Sequence, residues 1–403
     1  MRKMKDSGVA WIGEMPEDWT VKRGKFTLKL LNRPVKETDD VITCFRDGEV
    51  TLRTNRRTDG FTVSVKEIGY QGIEPGDLVI HGMDGFAGSI GISDSRGKSS
   101  PVLVVCDTDE NKRYIMYYLR SMAYNDVFTA LATGIRVRSC DLRWNKLAEL
   151  PYILPSLEEQ NQIVSAIESS TSKVDALIAN VQAQIEKLKT YKQSLITEVV
   201  TKGLDPNVPM KDSGVEWIGK IPKHWNMIRF RFIAKITTGN QDTQNADPDG
   251  MYPFYVRSPI VERCNNYTFE GKGILMAGDG AGAGRVFHLV NGKYAVHQRV
   301  YRFYDFKYMN PVLLKFYLEN LFATVMDYGS AKTTVPSVRL PMIQDFPVCV
   351  PPEDEQLKML EVLSEKTNKI DRFIAVKQTK IEKLEQYKRS LIYEYVTGKK
   401  EVS

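Results

Sequence analysis

The feature that most constrains this chain is an internal repeat. Residues 4–19 read MKDSGVAWIGEMPEDW and residues 210–225 read MKDSGVEWIGKIPKHW, with eleven of the sixteen positions identical. A second pair of matching segments is IEKLKTYKQSLI at residues 185–196 and IEKLEQYKRSLI at residues 381–392. Two matches in the same order predict a fold built from two copies of one unit.

The order of the motifs is also circular. The segment that joins the copies, VVTKGLDPNVP at residues 199–209, resembles the end of the chain, YVTGKKEVS. The joining segment is followed by the second tryptophan-rich block, and the first block stands at the start of the chain. This pattern predicts that the two ends of the chain lie close together. The sequence between the matching segments diverges strongly, so the copies are expected to share a frame and to differ in their globular parts.

Apolar residues recur every seven positions along two long segments, residues 156–203 and 353–398, as expected for coiled-coil helices. In the first helix they include Ile167, Val174 and Val181, and in the second Leu363 and Ile370. Lys377 and Lys388 fall at seam positions, which predicts a weaker second seam. Each helix follows a P-x4-Q start, at residues 155–160 and 351–356. A twofold-like repeat favours antiparallel pairing within the chain, and pairing between two chains is the alternative.

The globular parts are predicted to be α+β because short apolar runs alternate with glycine-rich turns. Strands are predicted near residues 77–80, 89–92 and 102–105, and near 273–276, 284–288 and 299–303, with a helix following each set at 112–123 and 310–323. The predicted division is a first globular domain at residues 1–155, a first long helix at 156–203, a second globular domain at 204–350, and a second long helix with a tail at 351–403.

Composition excludes several classes of protein. The 403 residues carry a net charge of +6, which permits a nucleic-acid partner without requiring one. The five cysteines form no CxxC pair and the four histidines no metal-binding spacing, so neither a disulfide framework nor a metal site is expected. No signal peptide or membrane-spanning run is recognisable, and the expected location is the cytoplasm.

The sequence shows no motif for catalysis. The segment GDGAGAG at residues 278–284 resembles a nucleotide-binding loop, but a predicted strand follows it where such a loop should open a helix. A hairpin turn is therefore the preferred interpretation. The chain has no adenine-methylase N/D-P-P-Y/F tetrapeptide and no Walker lysine loop. A chain that performs no catalysis and binds no cofactor or metal of its own is expected.

Basic residues among loop-forming residues are the candidate DNA contacts. Arginine can bond guanine O6 and N7 with two parallel hydrogen bonds, whereas lysine and threonine hold phosphates. The candidates are Arg53, Arg56, Arg57, Arg136 and Arg138 in the first copy, and Arg257, Arg285, Lys332, Thr333 and Arg339 in the second. Taken singly, each such charge is more often plain solvated surface.

With these motifs in view, the chain resembles the specificity (S) subunits of type I restriction-modification systems. The resemblance covers essentially the whole chain. The doubled blocks S-G-x-x-W-I-G-x-x-P-x-x-W at residues 7–19 and 213–225 carry it, together with the doubled P-x4-Q starts and the doubled I-E-K-L-x-x-Y-K-x-S-L-I segments.

This resemblance implies a function for every part of the chain. Each globular target-recognition domain would read one half of a bipartite site in double-stranded DNA, and the helix pair would set the spacing and dock two modification (methylase) subunits. S-adenosylmethionine would bind those subunits, and restriction subunits with ATP and Mg²⁺ would add translocation and cleavage. Two other hypotheses are a structural scaffold that uses the coiled coil only to join proteins, and an autonomous nuclease or methylase.

Overall fold

The computed structural model describes residues 2–56, 67–131, 142–329 and 336–402. The chain forms two compact units. Unit 1 comprises Met1–Val181 with Thr379–Ser403, and unit 2 comprises Gln182–Gln378. Each unit therefore contains one globular part and one segment from each of the two long helices, which is a different division from the four successive segments expected from the sequence. No helix in the described ranges is long and apolar enough to cross a membrane.

The elements of unit 1 are short strands around one longer helix. The strands are β1 (Met4–Asp6), β2 (Glu14–Pro16), β3 (Thr20–Arg23), β4 (Lys29–Leu30), β5 (Ile42–Cys44), β6 (Val50–Leu52), β7 (Gln71–Ile73), β8 (Leu78–His81), β9 (Ile90–Ile92), β10 (Gly97–Ser99), β11 (Leu103–Asp107) and β12 (Pro151–Leu154). The helices are α1 (Lys112–Tyr124), α2 (Val127–Ala130), α3 (Trp144–Leu147) and the start of α4 (Leu157–Lys202). The main sheet has the order β4-β11-β8-β9 and is antiparallel.

Unit 2 repeats this plan. Its strands are β13 (Met210–Asp212), β14 (Lys220–Pro222), β15 (Asn226–Arg229), β16 (Lys235–Thr238), β17 (Tyr252–Tyr255), β18 (Glu262–Cys264), β19 (Phe269–Glu270), β20 (Gly273–Ala277), β21 (Phe287–Val290), β22 (Lys293–Val296), β23 (Val300–Tyr304) and β24 (Pro347–Val350). Its helices are α5 (Pro311–Gly329), α6 (Leu340–Gln344) and the start of α7 (Glu353–Val396). Two four-stranded sheets have the orders β16-β23-β20-β21 and β18-β17-β22-β19.

The predicted α+β fold is confirmed, and the strands and helices expected from the sequence lie close to where they were predicted. The segment at residues 278–284 joins β20 to β21, which pair antiparallel. It is therefore a hairpin connection, as predicted, and it opens no helix. The corresponding connection in unit 1, at residues 82–88, joins β8 to β9 in the same way and contains one short 3-10 turn.

The long helices run antiparallel within each unit. In unit 2, the Lys192 ammonium lies 2.7 Å from the Asp371 carboxylate, and the Lys377 ammonium lies 2.5 Å from Gln184 Oε1. The later residue of α4, Lys192, thus pairs with the earlier residue of α7, Asp371. The predicted antiparallel pairing within the chain is therefore confirmed. In unit 1, Lys388 bonds both carboxylate oxygens of Asp175 at 2.7 Å.

The two seam lysines are therefore paired with polar groups of α4. A lysine can extend its aliphatic stem along a seam while its ammonium reaches a partner at the edge. The polar seam positions of α7 are thus accommodated by specific bonds and do not leave unpaired charges in the interface.

The repeated tryptophan blocks build the same frame in both units. Trp19 and Trp225 are 1% and 0% exposed. Trp19 Nε1 donates to Glu159 at 3.1 Å, and Trp225 Nε1 donates to Glu355 at 2.9 Å. Each glutamate lies in the first turn of a long helix, so this bond fixes the start of that helix against the block.

The glutamine of each P-x4-Q start joins the long helix to the globular part. Gln160 donates to Pro155 O at 3.1 Å and accepts from the backbone N–H of Asn111, the N-cap of α1, at 2.9 Å. Gln356 donates to Pro351 O at 2.9 Å and accepts from the backbone N–H just before α5 at 2.7 Å. Both glutamines are buried, and their amides satisfy backbone groups that would otherwise lose hydrogen bonds.

The two ends of the chain meet in unit 1. The backbone N–H of Arg2 donates to Glu401 at 3.0 Å. Nearby, Leu391 and Val396 at the end of α7 pack in one core with Ile12 and Trp19. The circular order of the motifs correctly predicts this closeness.

Candidate nucleic-acid interface

Five of the ten predicted DNA-contacting residues lie within the described ranges. These are Arg53 and Arg56 in unit 1, and Arg257, Arg285 and Arg339 in unit 2. The other five lie outside the described residues, and they are Arg57, Arg136, Arg138, Lys332 and Thr333.

In unit 2 the predicted arginines surround the connection at residues 278–284, which we call the unit 2 glycine loop. Arg285 follows this loop directly and is exposed. The backbone N–H of Val338 donates to Gly278 O at 2.7 Å, which brings the exposed Arg339 beside the loop. Arg257 reaches the loop from the β17–β18 hairpin. The structure thus brings together three residues that are distant in the sequence.

Asp279 of this loop is the electrostatic centre of the group. Arg257 Nη1 donates to Asp279 Oδ1 at 3.1 Å, and Arg299 Nε lies 3.8 Å from Asp279 Oδ2. The aspartate side chain is 19% exposed, whereas the side chains of Arg257 and Arg299 are 47% and 65% exposed. The carboxylate therefore lies beneath two arginines that face solvent. Arg299 was missed by the sequence reasoning because it lies inside a predicted strand segment.

A hollow of about 610 Å³ opens beside these residues in unit 2. Its lining includes Arg257, Asp279 and the glycine loop at residues 280–282, together with Thr243 and Ser258. Backbone N–H groups, hydroxyls and a guanidinium are the donors that protein surfaces present to phosphates and base edges.

In unit 1 the predicted arginines Arg53 and Arg56 lie just after the β5–β6 hairpin. The Arg56 guanidinium is 2.7 Å from Asp47 and 2.9 Å from Glu49, and it lies 4.2 Å above the ring of Phe45. The hydrogen bond to Asp47 raises the pKa of Arg56. Arg53 Nε donates to Thr43 Oγ1 at 3.4 Å. Since two carboxylates hold Arg56, a DNA phosphate would have to compete with them for it.

Arg46, in the turn of the same hairpin, was not predicted from the sequence. Its Nη2 donates to Asp84 Oδ1 at 3.1 Å. Asp84 belongs to the connection at residues 82–88, which we call the unit 1 glycine loop. The backbone N–H of Leu142 donates to Gly82 O at 2.9 Å, so the chain returns to this loop directly after residues 132–141. The only signal in the sequence was the shared Asp-Gly pair, at residues 84–85 and 279–280.

The described part of the chain offers neither a metal site nor an activated thiol. Among the described residues, no group of three or more His, Cys, Asp or Glu side chains is placed to hold a metal ion. Burial raises the pKa of the Cys44 and Cys106 thiols to about 12, so these thiols stay protonated at neutral pH.

Known proteins are similar to this chain in one domain and over its whole length. Residues 222–386 match the type I restriction modification DNA specificity domain. The chain is 28% identical over 173 residues to the EcoDI specificity subunit of Escherichia coli, a match that covers 42% of this chain and 35% of that subunit. It is 23% identical over 430 residues to the MjaVIII specificity subunit of Methanocaldococcus jannaschii, covering 96% of this chain and 93% of that one. The chain is thus similar, over nearly its whole length, to a specificity subunit of a type I restriction-modification system, and residues 222–386 match that family's DNA specificity domain.

A solved structure shares the fold of this chain. A chain from work on complex assembly and conformational transition of the type I R-M system superposes with a TM-score of 0.69 at 15% identity. The superposition covers 95% of this chain and 99% of that chain. The match to the E. coli relative spans about a third of that protein, whereas the match to the archaeal relative is nearly complete. The predicted resemblance to type I specificity subunits is confirmed, and the matched domain is described as a DNA specificity domain.

Proposed function

We propose that this specificity subunit reads a bipartite DNA site, with one half-site bound by each unit. The observation that carries the proposal is the contrast between a repeated frame and divergent globular parts. The bonds from Trp19 to Glu159 and from Trp225 to Glu355 are the same in both units. The arginines around the two glycine loops differ in number and partner. A protein that reads two different half-sites with one assembly needs this combination.

The reading surface proposed for each unit is its glycine loop with the adjacent hairpin. In unit 2 this surface carries Arg257, Arg285, Arg299 and Arg339. In unit 1 it carries Arg46 at the hairpin turn. Arginine in such positions is suited to guanine edges and to phosphates. Arg57, Arg136, Arg138, Lys332 and Thr333 remain candidate contacts because they belong to segments that continue from described parts of these surfaces.

Methylome sequencing tests the proposal. A host strain that carries this chain with its methylase should show one gapped, two-part adenine-methylated motif. A chimaera in which residues 20–150 are replaced by the equivalent region of another specificity subunit should change one half of the motif and leave the other half intact. Equal binding of the assembled complex to all duplexes would instead favour the scaffold hypothesis, and methylation or cleavage by this chain alone would favour an autonomous enzyme.

We further propose that two methylase subunits dock on the helix pair, one at each unit. In unit 2, Tyr191 and Phe373 are 56% and 49% exposed; Tyr191 directly precedes Lys192 in the sequence, and Phe373 is the second residue after Asp371, which bonds Lys192. In unit 1, Tyr387 and Leu177 are 54% and 48% exposed and hold the equivalent positions in the sequence relative to the Lys388–Asp175 ion pair.

Large apolar side chains repeated at equivalent exposed positions are a recognised mark of protein interfaces. A patch that occurs once per unit fits two copies of the same partner. The methylase subunits would bind S-adenosylmethionine, and restriction subunits would bind ATP and Mg²⁺, so the present chain needs no cofactor of its own.

Native mass spectrometry of the reconstituted complex tests the docking surface. The double change Tyr191→Ser and Phe373→Ser should yield complexes with one methylase in place of two. Val376→Ser is the matched control, because Val376 is 69% exposed on α7 but lies outside the repeated patch. Full occupancy by two methylases in the double variant would refute this docking surface while leaving the DNA-reading proposal standing.

A further inference from the structure

The divergent globular parts share one element that sequence identity does not reveal. In unit 1, β5 and β6 form an antiparallel hairpin, and Arg46 is the second residue after β5. In unit 2, β17 and β18 form an antiparallel hairpin, and Arg257 is the second residue after β17. The two arginines therefore occupy the same position in equivalent hairpins.

Each of these arginines bonds an aspartate of its own glycine loop. The distance from the guanidinium to the carboxylate is 3.1 Å for Arg46 and Asp84, and 3.1 Å for Arg257 and Asp279. In both pairs the arginine side chain is the more exposed partner, at 58% against 32% in unit 1 and 47% against 19% in unit 2. The aspartate lies below, and the guanidinium lies at the surface.

Glycines hold the loop backbone against the backbone of the same arginine. A Cβ atom added at Gly88 would lie 2.9 Å from the carbonyl oxygen of Arg46, and one added at Gly282 would lie 2.6 Å from the carbonyl oxygen of Arg257. Both distances are shorter than a van der Waals contact allows. Glycine is therefore required at each point where the loop meets the hairpin, and the aspartate is held at a fixed position relative to the arginine.

This arrangement suits a base-reading arginine. A guanidinium carries five N–H donors, so one bond to the aspartate still permits two parallel bonds to guanine O6 and N7. The aspartate also restricts the arginine rotamers before DNA binds, which reduces the entropy lost on binding.

Resting on the proposed function, we propose that Arg46 and Arg257 each read one guanine in the half-site of their own unit. Asp84 and Asp279 are positioning residues that orient these arginines. In unit 2, Arg299 lies on the other side of Asp279, so the aspartate orients one arginine on each side. The two half-sites then each contain a G·C pair that is read by the same structural element.

The experiment uses the specificity subunit assembled with its methylase and a library of duplexes that carry every single base-pair change in the wild-type motif. Arg257→Lys should lower discrimination at one G·C pair of the unit 2 half-site by about 5- to 150-fold. Arg46→Lys should do the same in the other half-site. Retained discrimination at the unaltered half-site shows that each variant complex is folded and assembled.

The positioning role has its own signature. Asp279→Asn should weaken discrimination at the same base pair as Arg257→Lys, by a smaller factor, and the double variant should discriminate no worse than Arg257→Lys alone. The matched control is Asp345→Asn, since Asp345 bonds Arg229 at 3.2 Å in another exposed ion pair of unit 2. This control should leave the preference at every base pair unchanged.

Three outcomes would overturn the inference. Unchanged preference at every G·C pair in Arg46→Lys and Arg257→Lys, with a bipartite wild-type motif, would refute it and leave the proposed function standing. A loss of affinity that is equal for all sequences would show a phosphate contact instead. A wild-type complex without any two-part motif would refute the proposed function and this inference together.

Discussion

Unit 1 and unit 2 close the same frame with different chain connectivity. In unit 2 the tryptophan block at residues 210–225 directly follows α4, and Val199 and Val200 pack with Trp225 in one core. In unit 1 the block at residues 4–19 comes first in the chain, while the helix segment that packs on Trp19 comes last. The contacts are nevertheless equivalent. Side-chain packing and hydrogen bonds therefore define the frame, and chain connectivity is secondary to them.

Removing the central tryptophan of each frame is the strongest test of this equivalence. Trp19→Ala and Trp225→Ala should each lower the free energy of unfolding of their own unit by about 3–5 kcal/mol, because each side chain is fully buried. Urea unfolding followed by amide exchange in each unit measures the cost. In Trp19→Ala, the amides of residues 379–396 should lose protection from exchange, since these residues are far from the block in the sequence and are held to it by packing.

The two frames would not be equivalent if the losses in the free energy of unfolding in Trp19→Ala and Trp225→Ala differed by more than a factor of two. They would also be different if residues 379–396 remained as protected in Trp19→Ala as in the unaltered chain.

The glycine that ends each long helix sharpens the comparison. Gly203 and Gly398 both have positive φ, +79° and +70°, so alanine at either position costs about 1–2 kcal/mol in backbone strain. A Cβ at Gly203 would lie 3.1 Å from the ring of Trp225, whereas a Cβ at Gly398 would lie 2.3 Å from the ring of Pro16. Gly398→Ala should therefore lower the free energy of unfolding by about 1–3 kcal/mol more than Gly203→Ala, because of overpacking.

Differential scanning calorimetry of both glycine variants measures this difference. The transition of Gly398→Ala should fall further than that of Gly203→Ala. Equal shifts would mean that the end of α7 moves away from Pro16 without cost, and that the unit 1 frame is looser than the unit 2 frame.

The smallest expected difference between the units is in how much stability each loses at acidic pH. The hydrogen bond from Arg96 lowers the pKa of Asp39 in unit 1 to about 2. A carboxylate with a lowered folded-state pKa stabilises the fold above its unfolded pKa, about 3.9, and loses that contribution as pH falls toward 2. In unit 2, the lowered pKa of Asp305 belongs to a fully exposed pair with Lys235 and adds little stability.

Brief pepsin digestion between pH 4 and pH 2 gives the measurement. Cleavage within residues 2–181 should begin at a higher pH than cleavage within residues 182–378. Asp39→Asn should flatten the acid dependence of unit 1, and earlier cleavage in unit 2 would contradict the assignment to this carboxylate.

The frame was predictable from the sequence because its determinants are local and repeated. Heptad spacing predicted both long helices, the doubled blocks predicted two equivalent frames, and the order of the motifs predicted that the chain ends meet. The partners of the seam lysines, Asp175 and Gln184, could not be predicted because they lie on the other helix. A polar seam residue has a meaning only when the register of the pair is known.

The candidate interface was less predictable because it depends on contacts between segments distant in the sequence. Arg46 was missed although its position in a hairpin matches that of Arg257, since the arginine alone is too short a match to align the two hairpins from the sequence. Arg56 was predicted as a DNA contact, yet Asp47 and Glu49 bond its guanidinium. Composition and spacing cannot foresee such pairings, because they are set by the folded hairpin.

The meeting of the chain ends has a consequence for biosynthesis. Unit 2 is continuous in the sequence and can fold as soon as it has left the ribosome, whereas unit 1 is incomplete until Thr379–Ser403 have been translated. About 200 residues separate its two parts, which corresponds to roughly 10–40 s of synthesis at about 5–20 residues per second. The globular part of unit 1 is thus translated before that of unit 2 but completed after it, and a nascent chain that stalls in α7 beyond residue 378 has a complete unit 2 and an incomplete unit 1.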